Sequence, residues 1–390
     1  MRIFNTKIDL FTAGVILFIL ITIHNTSQYG ASLSWMLPGC IMIIIGYSFN
    51  QNKRNVSTPI ALICFWFVIF CSTALSSVVP LEQNIISFAV LLYTFYLVTK
   101  IHFDDKTIRT IINVYIVSSL ICSVFIIRNW LNGDFYISWT LRASYRFMGE
   151  YKDPNYVTAY ICPAVFFLFI KSIYSQTFKK KIITFLCLLI SIIAILCTGS
   201  RSPVLTTALS IGVFYILDTE ISINKKLVIL LVSSVILYGL YHIYTIIMPD
   251  QVFERIENSS NDSRLALWTA GIKGFTENPL IGCGFASGNY YSIKLVGNYC
   301  HNVYIDLLSS CGIIGVMFFT FVVVNNCTKS SRSNRKFIFA TALSFFVPLF
   351  FINGYNSASF ITPLMLMSIL SNYCRLNKNH FYNLFVNRDM

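Results

Sequence analysis

The residues equipped for chemistry are few, and they cluster at breaks between apolar runs. Arg201 lies in Thr198-Gly199-Ser200-Arg201-Ser202-Pro203, Arg264 follows Asn261-Asp262-Ser263, and His301-Asn302 precedes Val303-Tyr304-Ile305-Asp306. Two guanidinium groups suit an anion such as a phosphate, which arginine grips bidentately. An imidazole suits proton transfer near neutral pH. Asp306 is a carboxylate about one turn inside an apolar run, where ionisation is expensive without a partner. Arg142, Arg146 and Lys152 lie just before Asp153-Pro154-Asn155 and read as electrostatics along a substrate path.

Each of these has a plainer reading. Arg201 suits an interfacial arginine that snorkels. Arg264 suits an ion pair with Asp262 or Glu257, and His301 an ordinary interfacial histidine. Asp306 suits a structural partner for an arginine, and Asp153 is first a helix cap. What favours function is position. Asp153-Pro154-Asn155, Ser202-Pro203 and His301-Asn302 each stand where an apolar run begins, with Asp153 and Ser202 placed as caps and the prolines in first turns. Unpaired N–H groups and the positive end of the helix dipole converge at such starts, which favours anions and a neutral imidazole.

The elements that must carry these groups are membrane helices. The 390 residues are 56% hydrophobic and 12% charged, with a mean hydropathy of +0.67, outside the range of soluble domains. A span needs about 20 largely apolar residues, and twelve candidates follow: 8–23, 31–49, 59–79, 84–101, 108–127, 155–174, 182–198, 203–217, 227–247, 303–324, 337–352 and 360–374. The fold class expected is all-α, a single polytopic domain over 1–390. Its two long joints are 128–154 and 248–302. The second of these contains an amphipathic helix at the membrane surface, with Leu265, Trp268, Ile272 and Phe275 at helical spacing before Asn278-Pro279 stops it.

Lys and Arg set the orientation. With both termini cytoplasmic, the inner joints hold 20 basic residues against six acidic ones, and the outer joints hold nine of each. The net charge of +13 is thus a topology signal and does not point to nucleic acid. Both long joints then face outward, and an uncleaved first span starts after Arg2 and Lys7. The twelve cysteines show no Cys-x-x-Cys pairing for a metal; Cys283 and Cys300 share one outer joint, where a disulfide is open. Gly282-Cys283-Gly284-Phe285-Ala286-Ser287-Gly288 has the wrong spacing and no preceding strand for a nucleotide loop, and reads as a flexible turn.

Three motifs taken in order carry a family resemblance: Thr-Gly-Ser-Arg-Ser at 198–202, Asn-Asp-Ser-Arg-Leu-Ala-Leu-Trp at 261–268 with Asn-Pro-Leu-Ile-Gly-Cys-Gly-Phe at 278–285, and His-Asn-Val-Tyr-Ile-Asp-Leu-Leu-Ser-Ser-Cys-Gly-Ile-Ile-Gly at 301–315. Together they resemble the O-antigen ligase and polymerase superfamily, over about 153–315. The resemblance implies a GT-C-like membrane glycosyltransferase in the bacterial inner membrane. It would act on the periplasmic face by inverting transfer, with no metal or nucleotide cofactor. Undecaprenyl-diphosphate-linked oligosaccharide would serve as donor and acceptor, and a chain-length regulator is a possible partner.

By carry-over, Arg201 and Arg264 would hold the diphosphate and His301 would take the acceptor proton. Arg146, Lys152, Asp153, Asn155, Asn302 and Asp306 would support them. Tyr151-Lys152-Asp153-Pro154-Asn155-Tyr156 resembles a motif of the polymerases, which favours polymerase over ligase. The alternative of another class is a transporter of lipid-linked sugars, with Asp306 on its path. Against it, the ionisable groups gather at one end and the two halves look unrelated.

Overall fold

In a computed structural model, residues 2–3, 6–25, 33–53, 59–76, 84–136, 142–147, 149–217, 261–376 and 381–385 are described, with isolated positions between 222 and 238. The expected ninth span, 227–247, and Arg255 fall outside the continuous described stretches. Helices stand at the other eleven expected positions: α1 (Leu10–His24), α2 (Leu33–Phe49), α3 (Pro59–Leu75), α4 (Asn84–Thr99), α5 (Asp105–Leu131), α6 (Pro154–Tyr174), α7 (Phe178–Cys197), α8 (Arg201–Ile216), α12 (Val303–Cys327), α13 (Arg335–Phe346) and α14 (Ala358–Leu376). Among the described residues, three shorter helices have bounds between α8 and α12: α9 (Asn261–Gly271), α10 (Lys273–Glu277) and α11 (Ser287–Val296). The only strands among the described residues form two-residue hairpins, β1 (Arg2–Ile3) with β2 (Thr6–Lys7) and β3 (Arg146–Phe147) with β4 (Glu150–Tyr151).

Among the described residues four helices, α5, α6, α7 and α12, are long and apolar enough to cross a membrane, and α1 to α4 are shorter apolar helices. The exposed surface of the bundle is hydrocarbon. Ile60, Ile63 and Phe67 on α3 and Ile182, Ile183, Phe185 and Leu186 on α7 all point outward, the pattern of a protein that meets lipid rather than water. In α14 every residue from Ala358 to Cys374 is buried, and α6 is nearly as enclosed. This is an integral membrane protein built around those two helices.

Buried polar side chains hold the helices in register. Tyr115 on α5 donates to the Tyr160 carbonyl on α6 at 2.9 Å, and Tyr160 donates to Ser359 on α14. In a low-dielectric interior such bonds cost more to break than in water.

The glycine-rich run 282–288 departs from expectation. Rather than a flexible turn, it is part of a segment spliced into α12, which breaks at Gly312 (φ 58°, ψ −166°). The break removes two helical bonds, from Ile313 N–H to the Ser309 carbonyl and from Ile314 N–H to the Ser310 carbonyl. The loop replaces both halves of each. Cys283 N–H donates to Ser309 O (2.8 Å) and Gly284 N–H to Ser310 O (3.2 Å), while Ile313 and Ile314 N–H donate to Pro279 O (2.9 Å) and Leu280 O (3.1 Å). No buried amide is left orphaned, which is what permits a broken helix here. A Cβ at Gly282 would lie 2.5 Å from Ser309 O, and one at Gly312 2.5 Å from Leu280 O. The short helices are thereby riveted to α12.

Candidate active site

The starts of α6, α8 and α12 meet the short helices and the α13–α14 junction at one pole. Asp153 caps α6, accepting from Asn155 N–H at 2.7 Å, with Pro154 at the first helical position, as the sequence predicts. The cap of α8 differs from expectation: it is Ser200, and Ser202 lies inside the first turn. Gly199 (φ 59°) turns the chain one step early, and Ser200 makes no side-chain cap because its hydroxyl is engaged elsewhere. It donates to Asn155 Oδ1 at 3.1 Å and accepts from Arg142 Nη2 at 2.5 Å. Arg142 also donates to Asn155 Oδ1 (3.1 Å) and to the Thr198 carbonyl (3.0 Å). Arg142, Asn155 and Ser200 thus lock the start of α8, with Arg201, against the start of α6, with Asp153.

Arg264, in the first turns of α9, reaches the same place. Its guanidinium stacks over Phe351 at 5.3 Å. Burial pulls it below its usual pKa, the Arg201 charge adds to that, and Asp153 opposes it. His301 shares the field: burial lowers its pKa, Asp153 raises it, and Arg264 lowers it further. Arg201, Arg264, Asp153 and His301 are therefore one electrostatic group, drawn from four segments far apart in the chain. Both arginines remain exposed to solvent and His301 is half-buried. Two cations in one another's field repel, and an anion bound beside them would offset that repulsion. A histidine whose pKa is depressed is neutral at pH 7 and able to accept a proton.

His301 sits in the left-handed region at φ 48°, a strained conformation for a non-glycine residue. Asn302 beside it caps α12, accepting from Tyr304 N–H (3.0 Å) and Ile305 N–H (3.1 Å). Asp306 meets no arginine. Its carboxylate accepts from Asn289 N–H (3.0 Å) and Asn289 Nδ2 (2.7 Å), a structural arrangement that removes the reason to place it on a transport path.

Two supporting candidates stand apart from the group. Lys152 is fully buried and points away, donating to the Thr22 (2.8 Å) and Ile23 (3.2 Å) carbonyls at the end of α1, with Tyr160 beneath it at 4.6 Å. Burial lowers its pKa to about 7. Arg146 is exposed on the β3–β4 hairpin, 3.3 Å from Asp134 and over the Tyr151 ring. Each is engaged by protein groups of its own, apart from Arg201, Arg264 and His301.

In the α9 stripe, Trp268, Ile272 and Phe275 are half-buried but Leu265 is 62% exposed. The face set on the bundle is Leu267, Ala270 and Gly271, because small residues allow α9 to approach; a Cβ at Gly271 would lie 2.5 Å from Cys300 Sγ. Cys283 and Cys300 are both free thiols, and Cys283 donates to the Gly274 carbonyl at 3.2 Å.

Two contributors escaped sequence reading. Asn289 reads as one more loop amide. The 351–357 junction supplies Phe351 under Arg264, while Asn353 exchanges two 2.9 Å bonds with Tyr156 on α6, and Tyr355 accepts from Ala286 N–H at 3.1 Å. Asn353-Gly354 between two apolar runs was the available signal.

Fold and site together define a helical integral membrane protein with a cationic, histidine-bearing cluster at one pole. Residues 186–320, which include Arg201, Arg264 and His301, match the family described as O-antigen ligase. The match supports the O-antigen ligase and polymerase superfamily, as the three motifs implied. No curated protein and no solved structure matches the chain.

Proposed function

We propose that the protein is an O-antigen polymerase that joins undecaprenyl-diphosphate-linked oligosaccharide units by inverting, metal-independent transfer on the periplasmic face of the inner membrane. The observation that carries this reading is Arg201 and Arg264 in one field beside a His301 of lowered pKa. An acceptor hydroxyl gives its proton to His301 while its oxygen attacks the anomeric carbon of the donor. The bond from that carbon to the diphosphate oxygen breaks, and the electron pair leaves with undecaprenyl diphosphate. Arg201 and Arg264 stabilise the charge that develops on this leaving group. Attack from the side opposite the diphosphate inverts the anomeric centre. The excess of Lys and Arg on the inner joints supports a periplasmic position for this pole.

A ligase, transferring the glycan to the lipid A core, uses the same chemistry, and the match of residues 186–320 to the O-antigen ligase family favours it. Deletion followed by electrophoresis of the lipopolysaccharide separates the two. Core bearing a single repeat unit supports a polymerase, and core bearing none supports a ligase. Normal ladders would contradict both.

A further inference from the structure

His301 holds a backbone conformation that an ordinary residue leaves when released, so something outside the residue must hold it. Following the bonds outward from Cys300-His301-Asn302 leads to α11. Its cap residue, Ala286, has no side-chain bond to offer; Ser287 N–H donates to the Gly284 carbonyl at 3.1 Å, and Asn289 N–H, further into the first turn, finds its partner outside the segment. Asp306, in the first turn of α12, caps it. The Asp306 carboxylate takes Asn289 N–H at 3.0 Å, and its second oxygen takes Asn289 Nδ2 at 2.7 Å. The amide of Asn289 is thereby fixed in one orientation, nitrogen toward Asp306 and oxygen away. That oxygen accepts from Cys300 N–H at 3.1 Å, the backbone amide of the residue before His301. On the other side, the Asn302 side chain ties the chain to α12. Asn289 and Asp306 are both buried, and a Cβ on Gly288 would lie 2.6 Å from Asp306 Cα, so the two helices are in close contact here.

We propose that Asp306 and Asn289 form a relay of hydrogen bonds whose role is to position His301 for proton transfer. Asp306 orients the Asn289 amide, and Asn289 holds the backbone amide of Cys300, the residue that leads into His301. The pair does not touch the substrate. This inference rests on the reading of His301 as the base.

Reversing the polarity of the pair provides the test. In Asp306→Asn, the new amide nitrogen faces Asn289 Nδ2, donor against donor. In Asn289→Asp, two carboxylates abut. In the double variant Asp306→Asn/Asn289→Asp, the new amide at 306 donates to the new carboxylate at 289, whose other oxygen still accepts from Cys300 N–H. The measurement is kcat and KM for transfer from undecaprenyl-diphosphate-linked oligosaccharide by the full-length protein in nanodiscs. Each single change is expected to lower kcat about tenfold or more (1.36 kcal/mol per tenfold), with the donor KM within about twofold because Arg201 and Arg264 are untouched. The double variant is expected to recover most of the lost kcat. Wild-type kcat in both singles, or a double variant no better than the singles, overturns the proposal even if the singles fold poorly. His301→Ala, assayed alongside, separates the two claims. If it turns over normally, the base assignment falls and the positioning role with it. If it is inactive while Asn289→Asp and Asp306→Asn are not impaired, only the positioning role falls.

Discussion

Two sets of cations lie near the pole, and they differ in what surrounds them. Arg142, Arg146 and Lys152 each end on protein: on Asn155, Ser200 and a carbonyl, on Asp134, and on the last carbonyls of α1. Arg201 and Arg264 stand in each other's field, exposed, beside a histidine that their surroundings keep neutral. The first set is explained by the fold alone. The cations of the second repel, which the structure tolerates because Arg142 and the spliced loop hold the segments that bear them. In a greasy protein rich in lysine and arginine, what separates a functional cation from a structural one is the company it keeps, and its sequence neighbours do not show that.

The largest effect should come from the second set. His301→Ala and Arg201→Ala are expected to abolish chain growth while insertion and abundance stay normal; in a purified assay the loss should be at least about a hundredfold for a group acting on developing charge. Full activity in either would break the comparison. A pH profile sharpens it. Because the surroundings push the His301 pKa below 6.5, activity should persist as the pH drops through 6.5 and fail only below it. An acid limb centred above 6.5 would contradict the neutral-imidazole reading.

Lys152 should act on stability. Its folded pKa of about 7 lies below the ordinary 10.5, so between those values the unfolded chain binds more protons and stability rises with pH. Below about 7 this contribution no longer changes. Thermal melts in detergent from pH 7 to 9 should show this rise, and Lys152→Met should flatten it; an unchanged slope would mean another group is responsible. The smallest effect belongs to Arg146→Ala, under about 1 kcal/mol for an exposed ion pair, with turnover unchanged.

Sequence reading located helices well because hydrocarbon runs and their caps are local properties: Asp153 caps where its type and position indicate. It singled out Arg201, Arg264 and His301 because they break apolar context at helix starts. It read Lys152 as electrostatics along a substrate path, since the Thr22 and Ile23 carbonyls that hold it lie far away on α1. It took 282–288 for a loose turn, because the loop is ordered by a break at Gly312 that no periodicity discloses. Ser202 lost the cap of α8 to Ser200 through contacts with Asn155 and Arg142 that are likewise non-local.

The most direct test of the difference between the two sets of cations is equilibrium binding of undecaprenyl diphosphate, the leaving group of the proposed reaction, to the full-length protein in nanodiscs. Arg201→Ala and Arg264→Ala should each weaken binding about tenfold or more, as loss of a charge-assisted bond does, and Arg146→Ala should leave it within about twofold. Equal affinity in all three variants would contradict the account.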